Sequence, residues 1–269
     1  MLRGLRTERG WTVEQVAELL HFSPSKVSRL ENGLRGVSGR DIRDLCDLYD
    51  VHDERRQQFI DLAAEGKRPA WWQTRNLPYS TYVGLETAAA SISDFGVGVV
   101  PGLLQTTDYA QAVVKAVYPR LSADEIERRV AGRIERQRLL TSDDPPRFDA
   151  VIDEAVLHRV AGDQQIMRAQ LRHLLVASRL PKVTIRVLPF QAGILPVITH
   201  KFIILSFREP TIESVVFVEG VVGLTADLYL GPREGLAVYQ QAFEAMWSMA
   251  ASPEQSRTMI AEIATAAAD

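Results

Sequence analysis

The sequence predicts two domains of different class: an all-α, five-helix domain over residues 1–66 and a larger α+β domain, with α/β as its variant, over 83–269. Three observations carry that prediction. Through the first 66 residues, apolar positions recur at helical spacing and are punctuated by cap residues and glycines. Beyond residue 83, helical stretches alternate with short runs rich in β-branched residues, the pattern of helices packed on a sheet. Between the two, Lys67-Arg68-Pro69-Ala70-Trp71-Trp72 and Asn76-Leu77-Pro78 sustain no period, which places a junction at 67–82. The paired tryptophans argue against a loose linker, because large apolar rings find a surface to pack on.

The five helices follow in order. The first is predicted over 2–9 and is stopped by Gly10. The second opens at Thr12, where Thr12-x-x-Gln15 has the form of a capping box, and Val13, Val16, Ala17, Leu19 and Leu20 make its buried stripe. The third spans 23–32: Ser23 caps it, Pro24 takes the first helical position, and Gly33 follows its end. The fourth, over 38–49, turns Ile42, Leu45, Cys46, Leu48 and Tyr49 inward; the fifth, over 53–65, ends at Gly66. In the larger domain, helical patterns fall at 84–95, 107–117, 123–140, 154–161, 163–179, 232–251 and 253–267. Strands are predicted at 148–152, 183–189, 202–207 and 215–219. Ser122-x-x-Glu125 is a further capping box, and Ser252-Pro253-Glu254 is a cap followed by proline.

Composition narrows the function classes. Apolar residues make up 46% and charged residues 24%, which argues against global disorder. A net charge of −3 gives no whole-molecule attraction to nucleic acid, so any such activity must rest on a local surface. The one cysteine, Cys46, excludes an intrachain disulfide framework and a cysteine-based zinc site, and its setting marks it as a small core residue. The N-terminus carries Arg3, Arg6, Glu8 and Arg9 without an apolar stretch, so no signal peptide is expected. No uncharged apolar run reaches the roughly 18 residues of a membrane span, so the expectation is a cytoplasmic protein with no membrane partner.

A two-helix duplex reader needs a tight turn, a braced first helix, and a second helix with one face buried and the other free. Residues 12–20, His21-Phe22 and residues 23–32 supply those parts. On the third helix Val27 and Leu30 point inward, while Ser25, Ser28, Arg29 and Asn32 share the opposite face at i, i+3, i+4 and i+7. Arg29 suits bidentate recognition of guanine, and Ser25 and Ser28 read bases less specifically. Lys26 and Arg35 are predicted phosphate contacts, as are the backbone N–H groups near Thr12. Residues 1–40 hold seven Arg or Lys against four Asp or Glu, whereas 41–66 hold three against eight. The basic charge thus sits on the reader half. Its small excess predicts moderate affinity and a homodimer on double-stranded DNA.

The run Thr12-Val13-Glu14-Gln15-Val16-Ala17-Glu18-Leu19-Leu20 through Ser23-Pro24-Ser25-Lys26-Val27-Ser28-Arg29-Leu30-Glu31-Asn32-Gly33 resembles the Cro/CI (xenobiotic-response-element) helix-turn-helix family. The resemblance implies a sequence-specific transcription regulator. Ala17 matches the small residue where the two helices touch, and Arg6 with Glu31 matches a buried ion pair tying the first helix to the third. Two positions depart. His21 stands where the family usually has glycine with φ > 0, a conformation that histidine tolerates at some cost. Val13 replaces a polar residue that often touches phosphate.

In the larger domain, five phrases stand out: residues 100–110, 152–157, Met167-x-x-Gln170-Leu171, residues 187–193, and Ser252-Pro253-Glu254-Gln255-Ser256. Together they resemble the domain of unknown function found behind this kind of reader in actinobacterial, WhiJ-like regulators. The resemblance implies a small partner protein encoded nearby, and for some pairs a toxin–antitoxin-like or developmental switch. From the residues themselves, Gln105 and Tyr109 fit either a structural turn-and-helix phrase or a pocket wall. Asp153 and Glu154 follow a strand and start a helix, where carboxylates suit the dipole or a site at the strand's end. Glu219 ends the strand 215–219 and would pair with Glu154 in acid/base work. His158 and His173 sit on helices without partners at ligand spacing, and His200 begins an exposed strand, so no metal and no cofactor are expected. Arg128, Arg129, Arg133, Arg136 and Arg138 make a solvated, partly ion-paired face on the helix 123–140, or else a contact with DNA flanks or an acidic partner. The expectation is therefore a DNA-binding regulator, not an enzyme, whose second domain binds a small protein or a metabolite. The alternatives are a toxin–antitoxin-like component and an enzyme that regulates its own gene.

Overall fold

The computed structural model describes residues 2–31, 38–65, 80–194, 200–209, 212–218, 228–230 and 235–266. Its contacts divide the chain into two units, Met1–Thr74 and Arg75–Asp269. Most of the predicted junction, with Trp71 and Trp72, lies outside the described residues.

The first unit is all-α: α1 (Leu2–Glu8), α2 (Val13–Leu19), α3 (Pro24–Glu31), α4 (Gly39–Leu48) and α5 (Asp53–Glu65). Val16, Ala17, Val27, Leu30, Ile42, Leu45, Cys46 and Tyr49 are all buried in one cluster with Leu5, Val51 and Phe59. Leu19 is the exception to the predicted stripe. It is 54% exposed, because the helix turns it past the edge of the face that Val16 and Ala17 bury.

Three helices of this unit end in the same way. After α1, α2 and α4 one residue takes a left-handed conformation: Gly10 (φ 67°), His21 (φ 53°) and Asp50 (φ 50°). The next residue then donates its N–H back over the last turn, Trp11 to Arg6 O at 3.2 Å, Phe22 to Ala17 O at 2.8 Å and Val51 to Cys46 O at 2.8 Å. This is the Schellman closure, and its apolar follower packs on the helix it ends. Trp11, Phe22 and Val51 all pack in the core cluster.

The second unit mixes helices with a six-stranded sheet of order β3-β2-β1-β4-β5-β6. The strands are β1 (Ser91–Gly96), β2 (Arg147–Asp153), β3 (Val183–Leu188), β4 (Phe202–Ser206), β5 (Val215–Val218) and β6 (Leu228–Leu230). β1, β2 and β3 are parallel, while β4, β5 and β6 continue the sheet antiparallel from β1. The helices are α6 (Ser80–Ala88), α7 (Thr107–Val117), α8 (Ala123–Gln137), α9 (Glu154–His158), α10 (Gln164–Ala177), α11 (Leu236–Met249) and α12 (Pro253–Ala266). The α+β class is as the sequence predicts. Two details differ. α6 begins inside the predicted junction, at Ser80, and β1 replaces the second half of the helix predicted over 84–95. β1 lies at the centre of the sheet with both faces covered, so Ile92, Asp94 and Phe95 are all buried. The strand alternation that would reveal it is lost, and Ala88-Ala89-Ala90 just ahead favours helix.

One face of the sheet packs Phe95, Val151, Phe202 and Val216 against Ala242, Phe243 and Met246 of α11. On the other, Asp94, Ile203 and Phe217 form one row across β1, β4 and β5, and the Tyr82 ring of α6 lies 4.4 Å from that of Phe217. Beside Tyr82, the Glu86 carboxylate accepts both Arg136 Nε and a terminal nitrogen at 2.7 Å, and the Tyr82 hydroxyl at 2.6 Å. The phrase 252–256 finds its use in α12: the Ser256 hydroxyl accepts the Val187 N–H at 2.9 Å.

Candidate nucleic-acid interface

The reader is assembled from local chemistry upward. α2 opens on the Thr12–Gln15 capping box: Gln15 N–H donates to Thr12 Oγ1 at 3.2 Å, and Thr12 N–H to Gln15 Oε1 at 2.8 Å. The left-handed His21 then turns the chain, and Ser23 Oγ accepts Lys26 N–H at 3.1 Å to start α3. Val27 and Leu30 bury one face of α3. Arg6 clamps its far end: Nε and a terminal nitrogen donate to the two Glu31 oxygens at 2.7 and 3.0 Å, and a third N–H reaches Trp11 O at 2.8 Å. With side chains 11% and 5% exposed, this pair is largely withdrawn from water. The Glu31 hydrogen bonds raise the Arg6 pKa above its usual value.

The predicted contact residues fall into three groups. Ser25 is exposed and Ser28 half-buried on α3. Arg29 belongs to α3, but its side chain lies outside the described set, as do Asn32 and Arg35 altogether. Lys26, predicted as a phosphate contact, has a partner within the chain: its Nζ stands 2.6 Å from Asp41 Oδ1 and 3.3 Å from the centre of the Phe22 ring. Sequence reasoning missed that pair because its members are 15 residues apart on different helices. Arg9 is engaged too, donating to the Tyr49 carbonyl. Of the seven basic residues in 1–40, Arg6, Arg9 and Lys26 thus brace the domain itself.

Of the C-terminal candidates, Gln105 and Tyr109 meet on Val100. Gln105 and Tyr109 are each 1% exposed. Gln105 Nε2 donates to Val100 O at 2.7 Å, and the Tyr109 hydroxyl accepts Val100 N–H at 3.2 Å. Arg133 donates to Gln105 Oε1 at 2.9 Å, and Gln137 Nε2 to Gln105 O at 2.6 Å. Gln170 donates to Leu104 O and accepts Thr106 N–H, both at 2.7 Å. The loop between β1 and α7 is thus satisfied from within, as buried backbone must be. Burial pushes the Tyr109 phenol above its ordinary value. Both residues act on this loop, where the sequence also allowed a pocket wall. Glu154 serves elsewhere, accepting Phe190 N–H at 2.7 Å, and Asp153 caps α9 through Ala155 N–H at 2.8 Å. Glu219 lies outside the described residues. Arg133 and Arg136 point inward and Arg129 stacks on the Tyr118 ring at 4.3 Å, so much of the basic face of α8 is structural.

Among the described residues, a cleft of about 390 Å³ opens beside Leu157, His158 and Met167, and another of about 380 Å³ beside Leu103, Ile134 and His173. Burial holds the His173 imidazole below its ordinary pKa. Among the described residues no group of three His, Cys, Asp or Glu is placed to hold a metal ion, and no helix is long and apolar enough to cross a membrane.

Comparison with known proteins places this architecture. A family model described as a helix-turn-helix domain matches residues 1–59, and one described as a domain of unknown function, DUF5753, matches residues 79–262. No curated protein and no solved structure matches the chain. The helix-turn-helix domain points to a DNA-binding regulator rather than an enzyme. With the second model covering more than half of its length, the chain belongs to the DUF5753 family and carries a helix-turn-helix domain ahead of that region.

Proposed function

We propose that the chain is a sequence-specific transcription regulator of the Cro/CI type, with α3 as the helix that enters the major groove. The observation that supports this best is the α2–turn–α3 geometry. A capped helix and a left-handed turn at His21 lead into a second helix that buries Val27 and Leu30 and is tied to α1 by Arg6 and Glu31. On this reading Arg29 recognises guanine, Ser25, Ser28 and Asn32 contact neighbouring base edges, and Thr12 and Arg35 hold phosphates. With three basic side chains of the reader half committed internally, single-site affinity is modest, and a homodimer on a two-fold operator supplies the rest. The protein acts in the cytoplasm. The Arg75–Asp269 unit receives the signal, from a small neighbour-encoded protein or a metabolite, in the manner expected of actinobacterial WhiJ-like regulators.

Selection of bound duplexes from a random pool, with and without the neighbour-encoded protein, tests this. The expected outcome is a palindrome with half-sites about one turn apart. Arg29→Ala should lower affinity for the selected duplex by about 1–3 kcal/mol and relax preference at one base pair. Failure to enrich any sequence refutes the regulator reading, and undiminished binding by the variant reassigns the reading face.

A further inference from the structure

Lys26 is the third residue of α3, on the element proposed to enter the groove, yet its ammonium is already held. It lies between Asp41 Oδ1 at 2.6 Å and the Phe22 ring at 3.3 Å, with 20% of its side chain exposed. Asp41, 11% exposed at the side chain, is the third residue of α4. Its second oxygen accepts Ser38 N–H at 3.2 Å, while Ser38 Oγ accepts Asp41 N–H at 3.0 Å. One carboxylate therefore closes the start of α4 and grips the start of α3. Burial pushes the Asp41 carboxyl up, but the Lys26 and Ser38 hydrogen bonds outweigh it and hold its pKa below the ordinary value. To reach a phosphate, Lys26 would have to leave a partly buried ion pair and an aromatic face, both stronger where water is scarce.

We infer that Asp41 is a positioning residue of the reader: it withholds Lys26 from the DNA backbone and fixes the start of α3 against α4. The inference rests on α3 being the DNA-contacting helix. Its consequence is electrostatic. A lysine on phosphate strengthens binding to every sequence alike, whereas a lysine spent on Asp41 orients the helix that discriminates among sequences.

The test is the salt dependence of binding, measured by fluorescence anisotropy with the full chain. Two labelled duplexes are used, one enriched by the wild type from a random pool and the other a scramble of it. Each lysine on a phosphate steepens the slope of log K against log salt by about 0.9. Asp41→Asn keeps an oxygen for the Ser38 N–H and releases Lys26. The slope should steepen by about 0.9, or roughly 3.5-fold in affinity across a fourfold change in salt, while preference for the enriched duplex falls. The double variant Lys26→Met/Asp41→Asn leaves no orphan charge and should return the slope to the wild-type value. An unchanged slope in Asp41→Asn overturns the inference, because Lys26 then stays off DNA without Asp41. A double variant about 0.9 shallower than wild type overturns it too, because Lys26 is then itself a phosphate contact. Should Asp41→Asn fail to fold, the double variant alone decides. The regulator reading fails separately, by a wild type that enriches no sequence and treats both duplexes alike.

Discussion

Replacing His21 with glycine is expected to stabilise the Met1–Thr74 unit, although the substitution strips a side chain from the turn between α2 and α3. His21 holds φ at 53°, in the left-handed region where Cβ crowds the following carbonyl oxygen. For an L-residue that conformation costs about 1–2 kcal/mol. Glycine removes the clash but widens the unfolded ensemble, which takes back about 0.4–1 kcal/mol. The balance favours glycine by about 0.5–1 kcal/mol. Little is lost elsewhere, because His21 is exposed and both turn hydrogen bonds are made by backbone, His21 N–H to Glu18 O at 3.2 Å and Phe22 N–H to Ala17 O at 2.8 Å. His21→Ala is the control: it keeps the Cβ and should be no more stable than the wild type. Urea-dependent hydrogen exchange on peptides over α2 and α3 reads the opening energy of this unit without requiring the chain to unfold in one step. Weaker protection in His21→Gly, or equal gains in the glycine and alanine variants, would refute the argument from backbone strain.

Other expectations follow from the same geometry. Glu31→Gln leaves the Arg6 guanidinium, 11% exposed, without its countercharge, and should destabilise the first unit by about 3–5 kcal/mol in the same exchange measurement. Asp41 has a folded pKa held below its unfolded value, so its contribution is fully present above the unfolded value and is lost as pH falls through the folded one. Asp41→Asn should therefore flatten the acid limb of stability for the first unit, below about pH 4, in unfolding titrations run at stepped pH. An acid limb identical to that of the wild type would show that the Lys26 pair does not contribute. Gln170→Leu strands Leu104 O and Thr106 N–H in the interior, at about 1–3 kcal/mol for each group left unsatisfied, and calorimetry should show a lowered melting temperature for the larger unit.

What the sequence makes legible here is local. Thr12 with Gln15, Ser122 with Glu125 and Ser23 with Pro24 act within three residues of themselves, so their helices start where the caps say, and α7 spans Thr107–Val117 as its pattern requires. The left-handed turn at His21 is legible through the resemblance to helix-turn-helix readers, which usually carry glycine at that position. Interactions across the fold are not. Arg136 looks like one more cation on a solvated face until Glu86, 50 residues earlier, is brought beside it. Glu154 shows in sequence only as a carboxylate at a helix start, and its hold on Phe190 N–H, 36 residues on, appears only in the fold. Lys26 reads as a phosphate ligand because lysine on a reading helix usually is one, and nothing within a few residues of it announces Asp41. β1 is hidden by its own centrality, because a strand covered on both faces loses the alternation that marks strands in sequence.

The hydrogen bond described between β3 and Ser256 has a consequence for the edge of the sheet. Val187 lies on a rim strand of the sheet, where a strand from another chain would add. Its N–H is taken by Ser256 Oγ and its carbonyl by the Ala251 N–H, each at 2.9 Å. The segment leading into the last described helix thus occupies the ground that an incoming strand would need. At Val187 both backbone groups that an added strand would pair with are already taken, by one hydroxyl and one amide of the same chain.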